Sequence, residues 1–399
     1  KNPDRKMQYQ TQLFGISNSQ KVFVGRVEGL NDPIIMAKKH DFERKFKQAV
    51  VGNPFLKSRY ENVWEEIAGI QREKAAIFNE FSAYTFQGLG RSTVFSLAYN
   101  MVELATIEKM PEAQRPERLR GKGPDSAKAR LASVPVNAEL DQMYLANQLK
   151  IIQTGLGNRH PDFSSLMNGR TPEAAAADLI KATVLTSKDK VKELLGKSPD
   201  EVLTSQDPLV SFVAKTASQA TQVRTKYTDL LSREQARVQI LGKALYDVYS
   251  TSIPPDATFT LRLADGVVKG YDYNGTIAPV YTTFYGLYDR YYSFQMKYPW
   301  SLPDRWKNPP ASFDLGTRFN FVSTNDIIGG NSGSPLVNKN LEVVGIAFDG
   351  NIESLPGDYI YTDEKNRCVS VHSSGILEAI EDIYKAERIA KELRGGRMP

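Results

Sequence analysis

Asn325-Asp326-Ile327-Ile328-Gly329-Gly330-Asn331-Ser332-Gly333-Ser334-Pro335 runs into Leu336-Val337, an Asn338-Lys339-Asn340 turn and Val343-Val344-Gly345-Ile346-Ala347-Phe348. The pattern predicts a glycine-lined bend followed by two short strands joined by a turn. Glycines at 329, 330 and 333 permit tight or positive-φ backbone. Such a bend could aim the amides of Gly330 and Ser332 at one point beside the Ser332 hydroxyl, the geometry that stabilises an oxyanion. Serine between glycines is also common in turns, so a plain strand-joining turn stays open beside the catalytic reading.

Working outward, the context narrows the choice. An α/β-hydrolase elbow needs a strand before its serine and a helix after it. Here Pro335 and an apolar β run follow instead, an arrangement that suits the second barrel of a chymotrypsin-like fold. Val343 to Phe348 would then wall the specificity pocket. A serine nucleophile needs a base, and the chain has three histidines, His40, His160 and His372. None has the small-residue context of such a base, so each reads as a surface or structural histidine. The single cysteine, Cys368, rules out an internal disulfide framework. His372 lies four residues further along an extended strand, about 13 Å away, so Cys368 reads as a buried structural residue.

Two textures divide the chain. Up to about residue 250, apolar positions recur at helical spacing, as in Val94, Leu97, Ala98, Met101, Val102 and Ala105. Thr171-Pro172-Glu173 and Ser198-Pro199-Asp200-Glu201 read as helix starts. Beyond Pro254-Pro255, Phe259 to Leu263 alternates with period two, and Ala264-Asp265-Gly266 would turn it into Val267 to Tyr271 as a hairpin. Further strands are expected at Phe319–Val322 and Arg367–Val371, then an amphipathic helix from Ile376 to Tyr384. The fold class is therefore α+β: a mostly helical domain over 1–250, then a β-barrel portion over 251–399 that carries the serine and ends in a helix.

Composition excludes several classes. A net charge of +5 from 51 basic and 46 acidic residues is too small to imply nucleic-acid binding. Basic residues alternate with acidic ones, as in Lys38 to Lys45, like a solvated helix face. No apolar run nears the roughly 20 residues that span a bilayer. No metal-ligand cluster or cofactor motif is legible, so no metal and no cofactor are expected. The start at Lys1-Asn2-Pro3, without an initiator methionine, reads as part of a longer protein.

At these residues the chain resembles the bacterial dipeptidyl-peptidase 7 and 11 family. The resemblance is carried by Asn274-Gly275-Thr276, Tyr281-Thr282-Thr283-Phe284-Tyr285-Gly286-Leu287-Tyr288-Asp289-Arg290, Leu302-Pro303-Asp304-Arg305-Trp306, the serine loop and Phe348-Asp349-Gly350-Asn351. It implies a chymotrypsin-like double barrel with an inserted helical domain, periplasmic or secreted. It also implies release of N-terminal dipeptides from peptides with a free amine, and homodimeric assembly. Ser332 matches the nucleophile, Gly330 and Ser332 the oxyanion donors. Asp349, beside Phe348, matches the carboxylate on the substrate's α-ammonium, and Asn18 is the candidate asparagine for the same group. Gly350 stands where acid-selecting members resemble one another in having arginine, which implies an apolar second residue in the substrate; an arginine from elsewhere, such as Arg367, would change that. The matching histidine and aspartate are absent, so the chain alone is expected to be inactive. Two alternatives remain: an endopeptidase of the same fold, and a non-catalytic helical interaction module.

Overall fold

The computed structural model describes residues 3–252, 261–358 and 360–396. Its residues group into two compact units: Ala49–Ile253, and Lys1–Gln48 together with Pro254–Pro399.

The first of these units is helical. The helix Thr93–Glu108 starts at Ser92, whose hydroxyl accepts from the Phe95 amide. All six apolar positions singled out above are buried within it. Its first turn is held by a buried carboxylate: Asp141 accepts from the Thr93 amide at 2.6 Å, the Val94 amide at 3.0 Å and the Ser92 hydroxyl at 2.9 Å. An anion at a helix N-terminus satisfies orphan amides and complements the dipole. Phe86, Phe95, Phe163 and Phe212 meet in the core. The two helix starts expected from sequence are present, with Thr171 capping Pro172–Ala182 and a Ser198/Glu201 capping box opening Pro199–Leu203.

The second unit contains the sheets. Tyr271–Tyr273 (β1) and Thr276–Ala278 (β2) form a two-stranded hairpin across Asn274-Gly275. Both turn residues have positive φ, at 47° and 76°, the conformation of a type I′ turn. Tyr281–Thr283 (β3), Arg318–Ser323 (β4), Pro335–Val337 (β5), Val343–Gly350 (β6) and Cys368–His372 (β7) form an antiparallel sheet of order β3-β4-β7-β6-β5. The strands expected at 319–322, 334–337, 343–348 and 367–371 are therefore present. The α+β class holds.

Three expectations differ. The hairpin from Phe259 to Tyr271 does not form: Phe259 and Thr260 lie outside the described residues, while Leu261 and Leu263 belong to no strand and are 91% and 89% exposed. The following segment bonds instead to the end of β4, with the Thr324 amide donating to the Val267 carbonyl at 2.9 Å and the Lys269 amide to that of Val322 at 3.3 Å. The expected C-terminal helix is divided into Ser373–Glu378, a π-turn at Ala379–Ile383 and Glu387–Gly395, broken where Lys385 takes a φ of 54°.

The third difference matters most for the site. Residues 1–48 group with the sheet rather than with the other helices. The helix Pro3–Asn31 packs on the turn Ile352–Asp358 through its glycines. A Cβ at Gly25 would stand 2.3 Å from Leu355 Cδ1, and one at Gly29 would stand 2.4 Å from Pro356 Cγ. The proline ring cannot swing aside as a flexible side chain would. Gly29→Leu is therefore expected to lift the helix off the turn and speed amide exchange over 352–357; unchanged exchange there would contradict this packing.

Candidate active site

The serine loop joins β4 to β5 and lies against β6. Gly330 has φ 109° and Gly333 φ 91°, conformations that side chains rarely adopt. The loop is held by alternate amides. Asn331 donates to the Ile328 carbonyl at 3.1 Å, Gly333 to the Ala347 carbonyl at 2.7 Å and Ser334 to the Asn331 carbonyl at 3.0 Å. The Asn331 side chain closes the bend by accepting from the Ile328 amide at 3.0 Å. Among the described residues, the amides of Gly330 and Ser332 donate to nothing. Both positions are exposed. Two uncommitted donors beside a hydroxyl are what an oxyanion site requires.

The Ser332 hydroxyl donates to the Phe348 carbonyl at 3.1 Å. The pairing of β6 with β7 slips between Ala347 and Asp349, so Phe348 is the extra residue of a bulge. That irregularity turns its carbonyl toward the serine loop.

A cavity of about 280 Å³ opens beside Ser332. It is walled by the loop at Ile327, Ile328 and Gly329 and by the strand from Ala347 to Gly350. The Asp349 carboxylate accepts from the Gly350 amide at 2.9 Å. Behind Gly350 stands Ser354, whose Oγ would lie 2.3 Å from a Cβ at 350, so the glycine leaves room that Ser354 fills.

The structure thus brings Ser332, Phe348, Asp349 and Gly350 to one cavity, with Gly330 in the adjoining bend. It does not bring Asn18 there. Asn18 is exposed on the helix Pro3–Asn31, one turn before Val22, and Val22 and Arg26 line the cavity instead. Sequence reasoning missed both of these, and also Ser354 and Leu355. The i, i+4 spacing of Asn18, Val22 and Arg26 was the available signal.

Arg367 does not reach this pocket. It is 1% exposed and directs all five guanidinium donors to backbone carbonyls: Lys269, Gly270, Asp363, Glu364 and Asn366, at 2.6–3.3 Å. Its role is to tie the loop before β7 to the segment before β1.

None of the histidines lines the Ser332 cavity. His160 caps the helix Pro161–Met167. His372 caps Ser373–Glu378, its Nδ1 lying 2.7 Å from the Ser374 hydroxyl; burial, with the Arg318 cation, holds its pKa below the usual value. It faces a different cavity, of about 660 Å³, together with Tyr281 and Phe321. Cys368 is buried as expected, and burial pushes its thiol pKa up, against a nucleophilic role. No metal-binding group of acidic, histidine or cysteine side chains occurs among the described residues.

The chain matches the Peptidase S46 family over residues 1–395. It is 25% identical to dipeptidyl-peptidase 7 of Porphyromonas endodontalis, an alignment covering 97% of this chain and 48% of that protein. Identity to an Asp/Glu-specific dipeptidyl-peptidase of Flavobacterium psychrophilum is 26%, over 98% of this chain and 55% of the relative. The crystal structure of Porphyromonas endodontalis DPP11 in complex with the dipeptide Arg-Glu superposes with a TM-score of 0.70 at 16% identity, covering 98% of this chain and 57% of the other. The chain spans about half the length of these relatives. With a family match that runs from its first residue to within four of its last, this chain belongs to the Peptidase S46 family.

Proposed function

We propose that the protein carrying this chain is a serine dipeptidyl-peptidase that releases N-terminal dipeptides through an acyl-enzyme on Ser332. The observation that carries this reading is the serine loop, where unbonded amides at 330 and 332 alternate with bonded ones at 331 and 333 beside an exposed hydroxyl. In the proposed reaction Ser332 Oγ attacks the carbonyl of the substrate's second residue and its proton passes to a base. The amides of Gly330 and Ser332 hold the oxyanion. Collapse of the tetrahedral intermediate expels the remaining peptide as an amine, which takes up that proton. Water then attacks the dipeptidyl ester, leaving a free dipeptide and restoring the hydroxyl.

The base and its orienting acid come, in this reading, from outside these 399 residues, because none of the three histidines lines the Ser332 cavity. The five-stranded sheet would then belong to a chymotrypsin-like barrel, and family membership favours a periplasmic or secreted location. Asp349 would bind the substrate's ammonium, limiting cleavage to two residues by charge pairing. Asn18 would join it only if the helix moved by about one turn. Gly350, with Ile327, Ile328 and Leu355 around it, favours an apolar second residue.

The test uses the full-length protein and dipeptidyl reporters with a free or acetylated amine. Acetylation is expected to lower kcat/KM by at least about a hundredfold, and Asp349→Asn to cost the free-amine substrate about ten- to a hundredfold. Equal cleavage of free and blocked substrates would favour the endopeptidase reading. Absence of any hydrolysis by the full-length protein would favour the interaction module.

A further inference from the structure

The serine bend is held at two places. On its C-terminal side β6 grips it: the Gly333 amide donates to the Ala347 carbonyl at 2.7 Å, and the Ala347 amide donates back to the Ser334 carbonyl at 2.9 Å. On its N-terminal side the hold comes from one residue, Asn331. Its amide donates to the Ile328 carbonyl at 3.1 Å, its side-chain Oδ1 accepts from the Ile328 amide at 3.0 Å, and its carbonyl accepts from the Ser334 amide at 3.0 Å. Among the described residues, Gly329 and Gly330 make no hydrogen bond of their own, and Gly330 stands at φ 109°. The direction of the Gly330 amide is therefore set by the anchors on either side of it, at 328 and 331.

Stability and catalysis should respond very differently to the loss of that side chain. Ile328 is exposed, so water can serve its amide once the carboxamide of Asn331 is gone, and a hydrogen bond exchanged for one to water changes stability little. An oxyanion donor is worth far more, since removing one costs about a hundred- to a thousandfold in kcat. Glycine has many backbone orientations open to it. Loosening the anchor at 331 turns the Gly330 amide away from its working direction for part of the time.

We infer that Asn331 is a positioning residue for the reaction: its carboxamide, tied to the Ile328 amide, keeps the Gly330 amide aimed together with that of Ser332 at the developing oxyanion. The inference rests on the reading of Ser332 as nucleophile.

The experiment measures kcat and KM of the full-length protein on a free-amine dipeptidyl reporter, in wild type, Asn331→Ala and Asn331→Ser. Two inhibitors are compared in parallel. A dipeptidyl boronic acid forms a tetrahedral adduct on the serine and places an oxygen where the oxyanion develops; a dipeptide analogue with a methylene in place of the reacting carbonyl has no such oxygen. Asn331→Ala is expected to lower kcat about ten- to a hundredfold with KM within about threefold, and to weaken the boronic acid by a similar factor. Binding of the methylene analogue and the urea midpoint should stay near wild type. Asn331→Ser, whose hydroxyl can accept from the same amide, is expected to recover part of the loss. In Asn331→Ala, a kcat within about twofold of wild type, or equal weakening of both inhibitors, would overturn the assignment. Should Asn331→Ala fold poorly, the same comparison of inhibitors in Asn331→Ser decides: a loss confined to the boronic acid supports the role, and an equal loss, or none, contradicts it. Failure of the underlying reading shows separately, as hydrolysis that survives Ser332→Ala.

Discussion

Ser332→Ala is expected to reduce hydrolysis of free-amine dipeptidyl reporters by at least about a thousandfold while leaving the fold intact. The size of the effect follows from chemistry: without the hydroxyl no acyl-enzyme forms, and only oxyanion stabilisation and binding remain. The fold should survive because Ser332 is exposed and its one hydrogen bond, to the Phe348 carbonyl, lies at the surface. The residues that hold the bend are its neighbours, through the amides of Asn331, Gly333 and Ser334. Parallel measurements of kcat/KM and urea unfolding check this. Activity within tenfold of wild type, with a native unfolding curve, would remove Ser332 from the reaction.

Arg367→Met is expected to destabilise the sheet unit by about 3–5 kcal/mol. The side chain is fully buried, and its five donors satisfy five carbonyls that come from both sides of the sheet's end: Lys269 and Gly270 on one segment, Asp363, Glu364 and Asn366 on the other. Methionine fills similar space but removes the donor that all five carbonyls share, the costly half of a broken hydrogen-bond network. Asn351 is coupled to the same region, since its Oδ1 accepts from the Arg367 amide and its Nδ2 donates to the Lys365 carbonyl. Asn351 also directly follows the strand that lines the cavity, so activity should fall together with stability. Urea unfolding followed by tryptophan fluorescence measures the change; Trp300 and Trp306 both lie in this unit. A shift under about 1 kcal/mol would mean that these carbonyls find other donors.

At β5 and β6 the sheet was legible because apolar runs were bounded by glycines and an Asn-rich turn. The segment from Phe259 to Leu263 had alternation and a turn at Ala264-Asp265-Gly266, and these local signals did not decide its pairing. Its expected partner, Val267 to Lys269, found better hydrogen bonds at the free end of β4, and periodicity carries no information about such competition. The serine, its glycines and Asp349 were legible because chemistry dictates residue type there.

Arg26 and Val22 were not legible, for a physical reason. Helix–core contacts are usually sought as stripes of large apolar residues, yet the contact face of Pro3–Asn31 is built from Gly25 and Gly29. Phe23, Val24 and Val27 on the same helix are exposed, at 61%, 48% and 55%. An apolar stripe search points to the wrong face. The close approach, visible only in three dimensions, groups this helix with the sheet and brings a cation to the cavity.

The central claim is that the glycine bend delivers Ser332 to the carbonyl of a substrate's second residue. It is tested most directly by treating the full-length protein with a dipeptidyl phosphonate ester that bears a free amine and a leucine-like second residue, then mapping the adduct by peptide mass spectrometry. The account predicts a single covalent adduct on Ser332, formed quickly by the free-amine probe and slowly by its acetylated form. Modification of another residue, or equal labelling of Ser332 by both probes, would contradict it.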